Sequence, residues 1–122
     1  MYQFGSVLSV PKGLFYHKGM YVGEGLVFHN HPSSGERLVS LSHFSQGRPV
    51  TVDEEGVSEP IIVMSRLKNS LARPSPYKFF KNCEQTVSKL RTGVSCSPQL
   101  RFFGLLGVIG LAAITISFLK RR

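Results

Sequence analysis

At 122 residues, the chain has room for one small domain, and a hydrophobic fraction of 42% supports a packed core and excludes a disordered chain. Its formal net charge of +8 fits either nucleic acid or an anionic lipid surface as a partner. The basic residues are spread along the chain and gather chiefly after Arg66, which favours lipid, and we expect no nucleic-acid partner.

The first third of the sequence predicts a strand and then a hairpin. Residues 5–10 are strand-like and are followed by turn residues 11–13. Residues 14–22 and 26–29 have the pattern of two strands joined by the glycine-rich loop 23–25. If Val22 pairs with Leu26, then Gly19 lies opposite His29, His17 lies opposite residue 31, and the odd-numbered side chains share one face.

Three histidines therefore compete for any chemistry on that face. In this register His17 and His29 are diagonal neighbours, about 7–8 Å apart at the backbone. His31 remains an alternative that the pattern does not exclude. His29 and His31 also have the spacing of alternate zinc ligands, with Cys83 as a third. The sequence lacks the usual zinc motifs, so we expect neither a metal nor a cofactor.

The middle of the chain predicts short elements. Residues 37–41 and 49–52 look like strands, and His43 between them is expected in a loop. Residues 60–64 form a continuous, largely β-branched run, which predicts a buried strand. Ser65 is placed to cap a short helix over residues 66–72, and prolines 74 and 76 end it.

A helix beginning at a cysteine follows. Asn82 is a good N-cap, and Gln85 three residues later completes a capping box. Cys83, Val87 and Leu90 share the apolar face, and a glycine at position 93 ends the helix. The helix start predicts a lowered thiol pKa and a nucleophile whose proton passes to a histidine. A buried structural cysteine is the alternative that these residues leave open.

The C-terminal part predicts a membrane anchor. Residues 102–119 contain only Thr115 and Ser117 as polar side chains, and basic residues flank this run. We therefore divide the chain into a domain over residues 1–98 and an anchor over residues 99–122. The sequence shows no secretory signal, so we expect a cytosolic domain with free thiols on a single-pass anchor. The oligomeric state is left open.

Two stretches resemble the lecithin:retinol acyltransferase-like family. Residues 16–29, YHKGMYVGEGLVFH, resemble its H-box, in which a second histidine follows the first after twelve positions. Residues 82–84, NCE, resemble its Asn-Cys-Glu box, and similarity continues through residues 90–94 towards the predicted anchor. The chain departs from the family at Gln85 and Thr86, where His-Phe is usual.

The resemblance implies an α+β fold of the circularly permuted papain-like type, with a small antiparallel sheet packed on a Cys-bearing helix and followed by a transmembrane helix. It implies Cys83 as the nucleophile, His17 as the general base and His29 as the residue that orients His17. The implied activity is that of an acyltransferase or phospholipase A on phospholipid acyl esters, through a Cys83 thioester. An NlpC-type amidase or peptidase, or a non-catalytic membrane-binding protein, is the alternative.

Overall fold

The computed structural model describes residues 1–76 and 82–94, which form an α+β domain with a five-stranded antiparallel sheet. The predicted anchor lies outside these residues. Within them no helix has the length and apolar character needed to cross a bilayer. The elements, in chain order, are β1 Val7–Lys12, β2 Phe15–Gly23, β3 Leu26–His31, β4 Gly35–Ser40, α1 Leu41–Ser45, β5 Thr51–Glu54, α2 Pro60–Ala72 and α3 Cys83–Thr92.

The strands follow the order β4-β3-β2-β1-β5, so the predicted hairpin of β2 and β3 lies at the centre of the sheet. Gly19 pairs with His29, as predicted. Close to the turn a bulge shifts the register, and Gly23 rather than Val22 pairs with Leu26. Gly23 has a φ of 93°, a left-handed backbone conformation that glycine adopts without strain.

Alternation along the strands divides the core between two faces of the sheet. One face, here called the helix face, packs Met20 and Phe28 against the buried side chains of α2 and α3. The other, here called the Phe44 face, packs Tyr21 and Val27 against Phe44 of α1. Because side chains alternate, neighbouring residues of β2 and β3 serve different faces.

The structure contradicts the buried strand predicted over residues 60–64, whereas residues 66–72 are helical as predicted. A single helix, α2, begins at Pro60, and Ser65 lies inside it rather than at its start. Proline suits the first helical position, because its N–H would lack an intrahelical partner there. Of the run predicted as a buried strand, only Val63 is fully buried, and Ile61 is 87% exposed. In this helix only one residue per turn is buried, and the other apolar residues of the run are exposed.

Three further boundaries differ from the predictions. β1 continues through Pro11 to Lys12. Proline is tolerated there because β5 pairs with β1 only up to Ser9, so no strand lies opposite the position where Pro11 lacks an N–H. The strand predicted over residues 49–52 runs instead from 51 to 54. His43 belongs to the short helix α1, which Ser40 caps by accepting a hydrogen bond from the His43 N–H.

Helix α3 is as predicted. The Asn82 side chain accepts from the Gln85 N–H at 3.1 Å, and the Gln85 side chain accepts from the Asn82 N–H at 3.2 Å. Gly93 ends the helix with a φ of 83°. Both ends are therefore fixed by local sequence, which positions Cys83 in the first turn.

Candidate functional site

The thiol lies where β2 and β3 separate. The paired part of the two strands ends at Gly19 and His29. At the next residue of β2, the Lys18 N–H donates to the Sγ of Cys83 at 3.4 Å. We call this place, between residues 17–18 of β2 and 30–31 of β3, the strand fork. It brings a side chain of α3 to the backbone of the strand that carries His17.

Next to the strand fork, His17 and His29 form a buried pair on the Phe44 face. The Nε2 of His17 lies 2.8 Å from the Nδ1 of His29, so one nitrogen donates a hydrogen bond and the other accepts it. Phe44 lies against both rings, with centroid separations of 5.4 and 6.0 Å. The ring centroid of His31 lies 5.8 Å from that of each paired histidine, but His31 takes no part in their hydrogen bond. The hydrogen bond therefore distinguishes His17 and His29 from His31.

Both paired imidazoles are neutral at physiological pH. Burial, aided by repulsion between the two rings when both are protonated, lowers the pKa of His17 from 6.5 to about 3. Burial, aided by His31 and Arg37, lowers the pKa of His29 to about 4. A neutral imidazole can accept a proton, but a pKa this far below neutral pH makes His17 a weak base in this state.

Burial has the opposite consequence for the thiol. It raises the pKa of Cys83 above its ordinary value, and the nearby Glu84 carboxylate raises it further. The N–H groups of Lys18 and Glu84 lower that pKa, but they do not overcome burial. The prediction of a lowered pKa at the helix start is therefore wrong for the thiol as it stands, because the side chain is 9% exposed.

Polar contacts fix α3 beside the fork. Arg91 donates to the carbonyls of Gly5 at 2.9 Å and Gly56 at 2.8 Å, and it pairs with Glu54. In the first turn, the Thr86 hydroxyl accepts from the Asn30 amide at 3.1 Å and donates to the Glu36 carboxylate at 3.3 Å. Thr86, one of the two departures from the family pattern, thus contacts both β3 and β4.

The Phe44 face also carries charged groups that no sequence motif indicates. A cavity of about 90 Å³ is lined by all four histidines, Phe44 and two exposed cations, Lys12 and Arg48. Arg48 reaches it because its guanidinium donates to the Pro11 carbonyl at 3.1 Å. His43 points back to β4, where it contacts Arg37 at 3.2 Å. Only the tertiary fold brings these residues together.

The zinc alternative finds no support in the described part of the chain. Among residues 1–76 and 82–94, no group of three or more His, Cys, Asp or Glu side chains is arranged to hold a metal ion. Cys83 is a free thiol, and Cys96 lies outside the described residues. Among the described residues, the candidate reactive groups near the strand fork are one thiol and one imidazole pair.

Comparisons with known proteins add no assignment: no family model matches the chain, and neither does any curated protein.

Proposed function

We propose that the chain is a membrane-associated thiol acyltransferase or phospholipase A with a circularly permuted papain-like fold, as its H-box and Asn-Cys-Glu resemblance implies. Its substrates would be phospholipid acyl esters. One observation carries the proposal: the Cys83 thiol contacts the Lys18 N–H, and the preceding residue of that strand is half of a neutral His17–His29 pair.

The proposed reaction begins with proton transfer. The Nδ1 of His17, which lies outside the imidazole pair, takes the proton from the Cys83 Sγ. The thiolate forms a bond to the ester carbonyl carbon, and the C–O bond to the lysolipid breaks as that oxygen takes the proton from His17. An acyl thioester remains on Cys83. Water, an amine or another lysolipid then attacks it, and His17 again accepts and returns the proton.

Two backbone groups support stabilisation of the oxyanion. The Cys83 N–H is in the first turn of α3, where helix geometry leaves it without an intrahelical acceptor. The Lys18 N–H already donates to the thiol. When Cys83 turns towards His17 and the carbonyl, both N–H groups are available to the oxygen that gains charge, which is the usual design of an oxyanion hole.

The turn before His17 supports a lipid substrate over a peptide. Leu14, Phe15 and Tyr16 are consecutive and are 89%, 46% and 54% exposed. Large apolar and aromatic side chains beside a cation such as Lys12 favour the boundary between headgroups and acyl chains. The predicted span over residues 102–119 would hold the domain at that boundary.

The test is the mass of the intact full-length protein after brief exposure to phosphatidylcholine vesicles. We expect an acyl adduct that hydroxylamine removes, present in the wild type and absent from Cys83→Ala. Cys96→Ala is the matched control, because it removes the second cysteine of the chain and should retain the adduct. An adduct that depends on Cys96, or no adduct with no lipid turnover, would overturn the proposal.

The raised pKa of the buried thiol favours a second candidate, a non-catalytic protein that binds or remodels membranes through its basic surface and apolar turn. In that case Cys83 is a structural residue. Vesicle binding and leakage would survive Cys83→Ala and fail in Leu14→Asp. The amidase alternative shares the thiol chemistry and is recognised by turnover of peptide amides in place of phospholipid.

A further inference from the structure

The small cavity on the Phe44 face has an unusual lining. Its floor includes the rings of His17 and His29, and its rim carries Lys12 and Arg48. The volume of about 90 Å³ equals roughly three water molecules of liquid. An acyl chain needs a much larger site, so the cavity suits water or one compact polar group.

One nitrogen in that floor is left without a partner. His29 is 2% exposed, and its Nε2 makes no hydrogen bond with any described residue, whereas its Nδ1 is engaged by His17. Buried polar atoms in native proteins are nearly always satisfied by protein, water or an ion. The unpaired nitrogen therefore indicates that something polar occupies the cavity.

The charge around the cavity selects the occupant. No carboxylate is among the described residues that line it, while Lys12 and Arg48 are both cations. Arg37, which donates to the cavity-lining His43 at 3.2 Å, places a further positive charge nearby. A metal cation would be repelled by this set, and an oxyanion would be attracted.

We propose that the cavity binds a phosphate-type oxyanion, which accepts a hydrogen bond from the Nε2–H of His29 and is held by Lys12 and Arg48. Such an anion fixes the tautomers of the imidazole pair. With Nε2 of His29 protonated, its Nδ1 must accept from the Nε2–H of His17, which leaves the Nδ1 of His17 unprotonated.

The anion thus takes the place that a carboxylate has in a catalytic triad, behind the second imidazole. Lys12 and Arg48 act as positioning residues, because they hold the anion and do not touch the reacting atoms. This consequence for the thiol rests on the proposed function, whereas binding of the anion does not.

The test measures the ring nitrogens of His17 and His29 by nitrogen NMR in the full-length protein, in uncharged detergent, while inorganic phosphate is added. We expect saturable shifts and the tautomer with both Nε2 atoms protonated. Lys12→Gln and Arg48→Gln should each weaken binding about tenfold, since each removes a charge-assisted contact. Lys68→Gln, an exposed cation on α2 away from the cavity, is the matched control and should bind like the wild type.

Several results separate the outcomes. Shifts that do not saturate, or that Lys68→Gln weakens as much as Lys12→Gln, would overturn the proposal. The proposal also fails if the ring nitrogens already show that tautomer and phosphate leaves them unchanged. A parallel titration with glycerophosphocholine identifies the source: tighter binding than phosphate assigns the anion to a lipid headgroup, and weaker binding assigns it to free phosphate. Failure of the acyl-adduct experiment leaves these readings intact.

Discussion

The two faces of the sheet treat their reactive groups differently. On the helix face, the thiol belongs to a ten-residue helix with a complete capping box, and Arg91 of that helix contacts Gly5, which precedes β1, and Glu54, which ends β5. On the Phe44 face, the imidazoles lie on the sheet itself, beneath a five-residue helix and next to an open cationic cavity. The capping and polar contacts of α3 position the thiol, whereas packing between the sheet and α1 positions the imidazoles.

Burial shifts the pKa values of the imidazoles and of the thiol in opposite directions. Burial disfavours the charged form of any group, so it keeps imidazoles neutral and thiols protonated. His17 is therefore neutral but weakly basic, and Cys83 stays protonated. Under the proposed function, proton transfer from Cys83 to His17 would have to accompany substrate entry at the strand fork.

The largest effect is expected from His17→Ala, because it removes the proposed base. Phospholipid turnover should fall by about 10²–10⁴-fold. His31→Ala, whose ring centroid lies 5.8 Å from that of His17 and which is outside the hydrogen bond, should lose far less. Turnover of phosphatidylcholine vesicles measures both, with thermal unfolding as the check that each variant folds. Equal losses would remove the distinction between the paired and unpaired histidines.

The buried histidines of the Phe44 face should also make the stability of the domain sensitive to acid. The folded pKa values of His17 and His29, about 3 and 4, lie below the unfolded value of 6.5. The unfolded state therefore binds more protons, and stability that is complete above pH 6.5 is lost as the pH falls towards 3. Two protons give a slope of up to about 2.7 kcal/mol per pH unit.

Urea unfolding between about pH 6.3 and 5.3 measures that slope above the range where most carboxylates titrate. His29→Asn should reduce it by about half, because one of the two buried imidazoles is gone. His43→Gln removes an exposed histidine and should leave it nearly unchanged. A wild-type slope near zero would show that the imidazole pair is not buried as described.

Gly19→Ala should disturb the Phe44 face through crowding. An added Cβ would lie 2.5 Å from the Val27 Cγ1 and 2.9 Å from the Phe44 ring. Overpacking of this kind costs about 1–3 kcal/mol. The free energy of unfolding in urea provides the measurement. Phe44→Leu in the same chain makes room, so the double variant should lose less than the sum of the two single losses.

The smallest effects are expected at the helix caps, one for each face. Asn82→Ala and Ser40→Ala should each reduce the free energy of unfolding by about 1 kcal/mol. Only Asn82→Ala should alter the thiol, because a frayed first turn exposes Cys83 and lowers its pKa. Alkylation of the thiol by iodoacetamide, in a Cys96→Ser background, should then be faster. Unchanged alkylation would mean that the capping box does not control burial.

Two features of this site, the hairpin register and the capping box, could be predicted from short stretches of sequence. The hairpin register follows from a glycine-rich turn between two short strands, and the capping box follows from Asn82 and Gln85 alone. Both features depend on residues within a few positions of each other, so periodicity and turn chemistry are sufficient.

The parts that sequence patterns do not predict depend on distant contacts. Residues 60–64 have strand-like composition, but packing of α2 across the sheet buries Val63 and leaves Ile61 exposed. The helix start predicts a lowered thiol pKa, whereas its value depends on how deeply α3 packs against β2. The cationic cavity has both Lys12 and Arg48 in its lining because Arg48 donates to the carbonyl of Pro11, 37 residues away in sequence, and no motif indicates this contact.

The Lys18–Cys83 hydrogen bond spans 65 residues, and the Arg91–Gly5 contact spans 86. On the ribosome, the four strands of the meander therefore emerge and pair long before the helix that covers one side of them. Until then Met20 and Phe28 lack the helices that cover them in the folded domain, so we expect the unfinished sheet to be prone to aggregation. We therefore expect the contact between Cys83 and the Lys18 backbone to be among the last to form.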